Sequence, residues 1–224
     1  MNARQVVTFD CYRTLVDFDL NRETLPIVRD RLDEIGVGHD VFLDDLRVMR
    51  FQGVVQRPYR RYRDIVRDTL EHCMLLHGVE FRDEDYDRLI AAAEGFPAFP
   101  EVPDALRRLK ERYDIAILTN SDDDLIPYHL DAIGVPFDHV VTAEQARAYK
   151  PRREAFEKLF EVLPQTRDQI THVAQGWEYD IMPTKALGIH RRVWVNRYGV
   201  KGSDHYHPYD EIRDLSELPA LLGL

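Results

Sequence analysis

A chain of 224 residues with 44% apolar side chains is long enough for one sizeable core, or for a core carrying a smaller inserted unit. Its formal net charge of −10 argues against nucleic acid or an anionic membrane as a partner. No apolar stretch approaches the roughly 20 residues that span a bilayer, and the N-terminus lacks a basic segment followed by a signal-type apolar run. The two cysteines, Cys11 and Cys73, can form neither a disulfide framework nor a metal-type cluster, so a reduced, cytoplasmic setting is expected.

The run Val6-Val7-Thr8-Phe9 reads as a buried strand that ends at Asp10. From about Leu20 to Glu94 no strand-like run occurs. Helical spacing instead links Leu25, Val28, Leu32 and Ile35 before Gly36. It recurs through Ile65, Thr69, Leu70, Cys73 and Leu76 before Gly78, and through Tyr86, Leu89, Ile90 and Ala93 before Gly95. From Pro100 the pattern alternates. Helices are expected over Val102 to Tyr113, Asp124 to Ile133, Arg152 to Val162 and Ile181 to Leu187. Strands are expected at Ile115 to Leu118, Val140-Val141, His172 to Ala174 and, finally, Arg192 to Val195. Strands alternating with helices predict an α/β architecture, a doubly wound parallel sheet of Rossmann-like form. Its core would comprise residues 1–16 and 98–224, with residues 17–97 inserted as a helical cap.

Open parallel sheets bind ligands at the carboxyl ends of their strands. Four polar groups fall at such ends or at helix starts: Asp10 with Thr14, Thr119-Asn120-Ser121, Lys150 before Pro151, and Gln175-Gly176 with Asp180. Each has a bland reading alone, as a helix cap, a solvated lysine or a carboxylate complementing a helix dipole. Their recurrence in one order, each after a strand or at a helix start, points to a catalytic edge. Cys11 alternates to the opposite side of the strand from Asp10 and reads as a packed thiol. Asp204, His205 and His207 lie in a polar stretch, Ser203 to Pro208, that reads as loop, with metal binding a minor alternative.

On Phe9-Asp10-x-Tyr12-x-Thr14-Leu15, Leu118-Thr119-Asn120, Lys150-Pro151 and the segment Val173 to Asp180, the chain resembles the haloacid dehalogenase superfamily. The resemblance spans the whole core, and the helical insertion matches that superfamily's cap position. Within it the (S)-2-haloacid dehalogenases are the most similar group, because they too have tyrosine two residues after the nucleophile, where phosphatases have aspartate. A departing alkoxide needs an acid to protonate it; halide does not. The resemblance therefore implies Asp10 as nucleophile, Lys150 holding it ionised, Asp180 beside the hydrolytic water, and Thr14 among the catalytic residues. Tyr12, Thr119, Asn120, Gln175 and Trp177 would line the substrate site. A cap arginine would grip a substrate carboxylate, with Arg50 the choice and Arg47 nearly as good. Most of the other arginines between residues 47 and 67 read as a solvated helix face.

The implied reaction uses no metal and no other cofactor. Its substrate would be a small 2-substituted carboxylic acid, and a homodimer through the cap or a core helix would accord with the resemblance. Phosphatases of the superfamily bind magnesium partly through an aspartate where this chain has Gln175, a poor ligand for a hard cation. Three departures loosen the substrate assignment: Gln175 and Trp177 stand where the dehalogenases have serine and asparagine, and Phe156 where they have tyrosine. A magnesium-dependent phosphatase of a small metabolite, or a ligand-binding relative without catalysis, are the alternative readings.

Overall fold

The computed structural model describes residues 4–224. The chain divides into two units, one of Met1–Asp17 with Pro97–Leu224 and one of Phe18–Phe96. The first unit is built on a six-stranded parallel sheet in the order β3-β2-β1-β4-β5-β6. The strands are β1 (Val6–Phe9), β2 (Asp114–Thr119), β3 (His139–Thr142), β4 (Ile170–Ala174), β5 (Arg191–Val195) and β6 (Asp210–Ile212). Every residue of β1 and β4 is buried, which explains why both read as continuous apolar runs rather than alternating ones. The last strand departs from the sequence expectation that Arg192 to Val195 would be the final one. β6 is three residues long and buries Ile212 alone, too little apolar pattern to register.

Helices cover both faces of this sheet. Helix α8 (Arg153–Val162) places Phe156 and Leu159 on one face with Val6, Ala116, Leu118, Val141 and Ile170. Helix α5 (Val102–Lys110) buries Val102, Leu106 and Leu109 and packs beside β2. Strand β1 lies between β2 and β4, so the connections run outward in opposite directions from it. That reversal is the switch point where an open α/β sheet leaves a crevice at its strand ends. Asp10 is the first residue past β1.

The second unit consists of four helices, α1 (Leu20–Ile35), α2 (His39–Val55), α3 (Tyr62–Leu76) and α4 (Asp83–Glu94). Asp19 caps α1 by accepting from the backbone N–H groups of Asn21 and Arg22, and Gly36 ends it in the left-handed region at φ 72°. The buried stripe of α1 is Leu20, Thr24, Val28 and Leu32, with Ile35 exposed at its end. A bidentate ion pair from Arg31 to Asp85, at 2.7 and 2.8 Å, ties α1 to α4. Helix α2 escaped the periodicity argument because it buries only Phe42, Leu46 and Val54 while exposing Val41, Val48 and Phe51. Among the described residues no helix is long and apolar enough to cross a membrane.

Candidate active site

The chain leaves β1 in a tight turn that brings Thr14 back over Asp10. Leu15 and Val16 both donate their N–H groups to the Cys11 carbonyl, and Arg13 adopts a left-handed φ of 64°. A non-glycine residue there is strained, and such strain concentrates at functional sites. The arginine side chain stacks on the Tyr198 ring, 4.5 Å from its centroid. Arg197, lying over the Phe99 ring at 3.7 Å, donates to the Thr14 carbonyl at 2.8 Å and secures the far side of the turn. The Thr14 hydroxyl donates to Asp10 Oδ2 at 2.7 Å and accepts the Gln175 N–H at 2.9 Å. One side chain thus locks the nucleophile candidate to the loop that follows β4.

Lys150 and Asp180 complete a buried cluster. The Lys150 ammonium, 1% exposed, donates to Asp10 Oδ1 at 2.8 Å and to Asp180 Oδ1 at 2.7 Å. Asp180 sits on a π-helical turn, Trp177–Ile181, in which the N–H groups of both Asp180 and Ile181 converge on the Gly176 carbonyl. Behind it, His172 Nε2 lies 3.0 Å from the same Asp180 Oδ1, and His172 Nδ1 lies 2.9 Å from the Thr8 hydroxyl. Burial pushes the Asp10 carboxyl up from its ordinary range, a shift that Asp180 reinforces and Lys150 only partly opposes. For Asp180 burial acts in the same sense but is outweighed by Lys150 and His172, so its carboxyl titrates below the ordinary range. Burial also disfavours the Lys150 ammonium, yet the two carboxylates prevail and raise it. Burial holds the Cys11 thiol well up, in keeping with a packed, unreactive side chain.

The remaining sequence candidates take distinct places. The Tyr12 hydroxyl is 2.6 Å from Ser121 Oγ, and the Tyr12 ring meets the buried His129 edge-on, with centroids 5.1 Å apart. Asn120 accepts the Lys150 N–H at 2.7 Å and donates to the Lys150 carbonyl at 3.1 Å. Both ends of its amide clamp the backbone that presents the ammonium. Thr119 Oγ1 is buried with no hydrogen-bond partner among the described residues. Gln175 is half-buried, and its carbonyl accepts the Trp194 indole N–H at 3.2 Å. Trp177 packs against Trp194, Tyr206 and Tyr209, with centroids 4.7, 5.7 and 5.4 Å away. Its ring anchors the turn that carries Asp180. In the helical unit, Arg50 donates to Asn21 Oδ1 at 3.1 Å, whereas Arg47 is exposed beside Asp44. Arg60 and Arg67 make exposed pairs with Asp68 and Asp83, whereas Arg63 is largely buried in its pair with Glu94.

Sequence reading missed three residues: His172, Ser121 in a named role, and His129. For His172 a signal existed, since a polar residue inside a strand buried along its whole length needs a partner.

Residues 5–188 match the haloacid dehalogenase-like hydrolase family. The chain belongs to that family. It is 23% identical over 231 aligned positions to the (S)-2-haloacid dehalogenase 4A of Burkholderia cepacia, covering 100% of this chain and 96% of that protein. It is 36% identical over 104 positions to haloacetate dehalogenase H-2 of Moraxella sp. (strain B), a match spanning 45% of this chain and 46% of that enzyme. In fold it is similar to the L-2-haloacid dehalogenase of Xanthobacter autotrophicus with chloropropionic acid covalently bound, at a TM-score of 0.80 and 18% identity over 98% of each chain.

Proposed function

We propose that this hydrolase attacks carbon through an aspartyl-ester intermediate and, most simply, converts an (S)-2-haloalkanoic acid to the 2-hydroxy acid without a metal. The observation that carries the reading is the partner of Tyr12. At the position where an alkoxide leaving group would need an acid, the chain offers a phenol paired with the Ser121 hydroxyl. That pair suits a leaving group that departs as a stable anion. The donor set fits magnesium poorly: Asp10 and Asp180 already share one ammonium, Thr14 engages Asp10 Oδ2, and residue 175 supplies an amide rather than a carboxylate.

In this reading an Asp10 carboxylate oxygen forms the new C–O bond as the C–halogen bond breaks, inverting the carbon and releasing halide. Water then adds to the Asp10 carbonyl carbon and the bond from that carbon to the ester oxygen breaks. The hydroxy acid leaves with an oxygen from Asp10, and the water oxygen remains in the carboxylate. Asp180 takes one proton from the water and returns it to the departing alkoxide oxygen, while the water's second proton, left on the Asp10 carboxyl, passes to solvent. Lys150 favours the ionised Asp10 carboxylate before attack, and Thr14 fixes its orientation. Recognition of the substrate carboxylate is assigned to Arg50 on the family resemblance.

The test is halide release from 2-chloropropionate without added metal, together with mass spectrometry of Asp10 during turnover in oxygen-18 water. The reading expects a transient adduct on Asp10, label entering its carboxylate, and loss of all three signals in Asp10→Asn. Magnesium-dependent phosphate release from an aryl phosphate, with no halide release, would overturn it in favour of a phosphatase.

A further inference from the structure

His172 stands behind Asp180 and is wholly buried. Its neighbours decide which ring nitrogen carries a proton. Thr8 faces it from β1, Asp180 from the turn and Phe156 from α8, while Arg192 lies opposite it in the β4–β5 register. Arg192 is itself buried, with its guanidinium on the carbonyls of Ile181, Tyr206 and Pro208. Asp10, Asp180, Lys150 and Arg192 sum to zero charge, so a neutral imidazole leaves the buried cluster balanced. Ionised Asp180 can only accept, so the proton of a neutral ring belongs on Nε2, and Nδ1 then accepts the Thr8 hydroxyl proton.

Asp180 Oδ1 thereby receives two N–H donors, from Lys150 and His172, whereas Oδ2 is buried with no hydrogen-bond partner among the described residues. This asymmetry matters once Asp10 is esterified. The ester is neutral, and Lys150 loses one of its two anionic partners. With nothing else holding it, the Asp180 carboxylate would rotate to give the ammonium both oxygens. We propose that His172 is a positioning residue for ester hydrolysis: with Thr8 behind it, its neutral ring pins Asp180 Oδ1 and keeps Oδ2 as the oxygen that receives the water's proton. The proposal rests on the aspartyl-ester reading and adds to it a residue that acts in the second half-reaction only.

The experiment compares the wild-type protein with His172→Leu and His172→Gln, the second retaining a side-chain N–H near the position of Nε2. With 2-chloropropionate, His172→Leu should release about one halide per site at a near wild-type rate and then stall with the ester on Asp10. Losing a hydrogen bond to a charged group should slow hydrolysis about ten- to a hundredfold. The acidic limb of the hydrolysis step should move to higher pH, because Asp180 has lost a donor. His172→Gln should restore most of the rate and the position of that limb. Hydrolysis by His172→Leu at the wild-type rate, or equal slowing of halide release and hydrolysis in both variants, would overturn the proposal. Nitrogen-15 spectra of the wild-type imidazole decide the ring state without any substrate. They should show a proton on Nε2 and a bare Nδ1 at neutral pH, and the reverse tautomer or a doubly protonated ring refutes the assignment. Absence of halide and adduct from the wild-type protein would instead count against the ester reading, leaving the ring-state result standing on its own.

Discussion

Asp10 and Asp180 are both buried and both contact one ammonium, yet their acidities move in opposite directions. Asp180 gathers Lys150 and His172 on one oxygen, while Asp10 has Lys150 and Thr14 but also faces the charge of Asp180. An acid whose pKa is raised by folding opposes folding at neutral pH, since the unfolded chain ionises it more readily. Asp10→Asn removes a desolvated carboxylate and its repulsion with Asp180, and leaves Lys150 its contact with Asp180. Its melting temperature at pH 7 should equal or exceed that of the wild-type protein, by about 2–4 °C for each kcal/mol relieved, while adduct formation is abolished. Calorimetry on the pair checks this, and a lower melting temperature would show that Asp10 is a net stabilising partner of Lys150. The candidates Asp10, Thr14, Lys150 and Asp180 were legible because each ends a strand or opens a turn. Ser121 and His129 were not, because their significance lies in Tyr12, 109 and 117 residues away, while His172 was marked only as a polar residue inside a buried strand.

The turn carrying Asp180 is wound so tightly that residue 176 must be glycine. Its φ of −64° would suit any residue, but a Cβ there would lie 2.5 Å from Asp180 Oδ2. That oxygen cannot swing aside without dragging Oδ1 off Lys150 and His172. Gly176→Ala should therefore slow ester hydrolysis at least tenfold while the fold persists, a change of about 1.4 kcal/mol in the barrier. Single-turnover kinetics with circular dichroism measure the two effects separately, and an unimpaired hydrolysis step would mean that the turn relaxes freely. At this scale the buried strands were readable from their unbroken apolar runs. The π-turn was not, since Trp177 to Ile181 continues smoothly into α9 (Met182–Ala186), and the expected helix from Ile181 to Leu187 covered both. Neither β6 nor α2 carries enough one-sided apolar pattern to stand out.

Across the whole molecule, opposite shifts separate the pH limits of stability from those of activity. Asp180, Asp138 and Asp214 titrate below the ordinary 3.8 in the folded chain. Desolvation opposes that for all three; Lys150 and His172, the Ile115 N–H with Lys110, and Ser216 respectively outweigh it. A lowered acid contributes stability above its unfolded pKa and loses it as pH falls through the folded value. Acid unfolding should thus set in below about pH 4, given ordinary carboxyl values in the unfolded chain. Attack by Asp10 needs its carboxylate, whose pKa is raised, so halide release should fade at a higher pH than the fold does. Lys150, raised above 10.5, should impose no alkaline limit below that value. Paired profiles of halide release and ellipticity test this order, and coincident acid limbs would contradict it. The doubly wound sheet was visible from strand and helix alternation alone, because a parallel sheet buried on both faces leaves no polar period to confuse it.

The aromatic corner around Trp177 has a practical side. The chain has two tryptophans, and both sit in that corner, with rings 4.7 Å apart. None lies between Phe18 and Phe96. Intrinsic emission excited at 295 nm is therefore a label-free gauge of the segment bearing Asp180 and is silent for the helical insertion. An unfolding experiment that follows emission and far-ultraviolet ellipticity together can tell whether the four-helix unit melts before the sheet. A stopped-flow trace of emission alone can report when the Asp180 turn responds to a ligand.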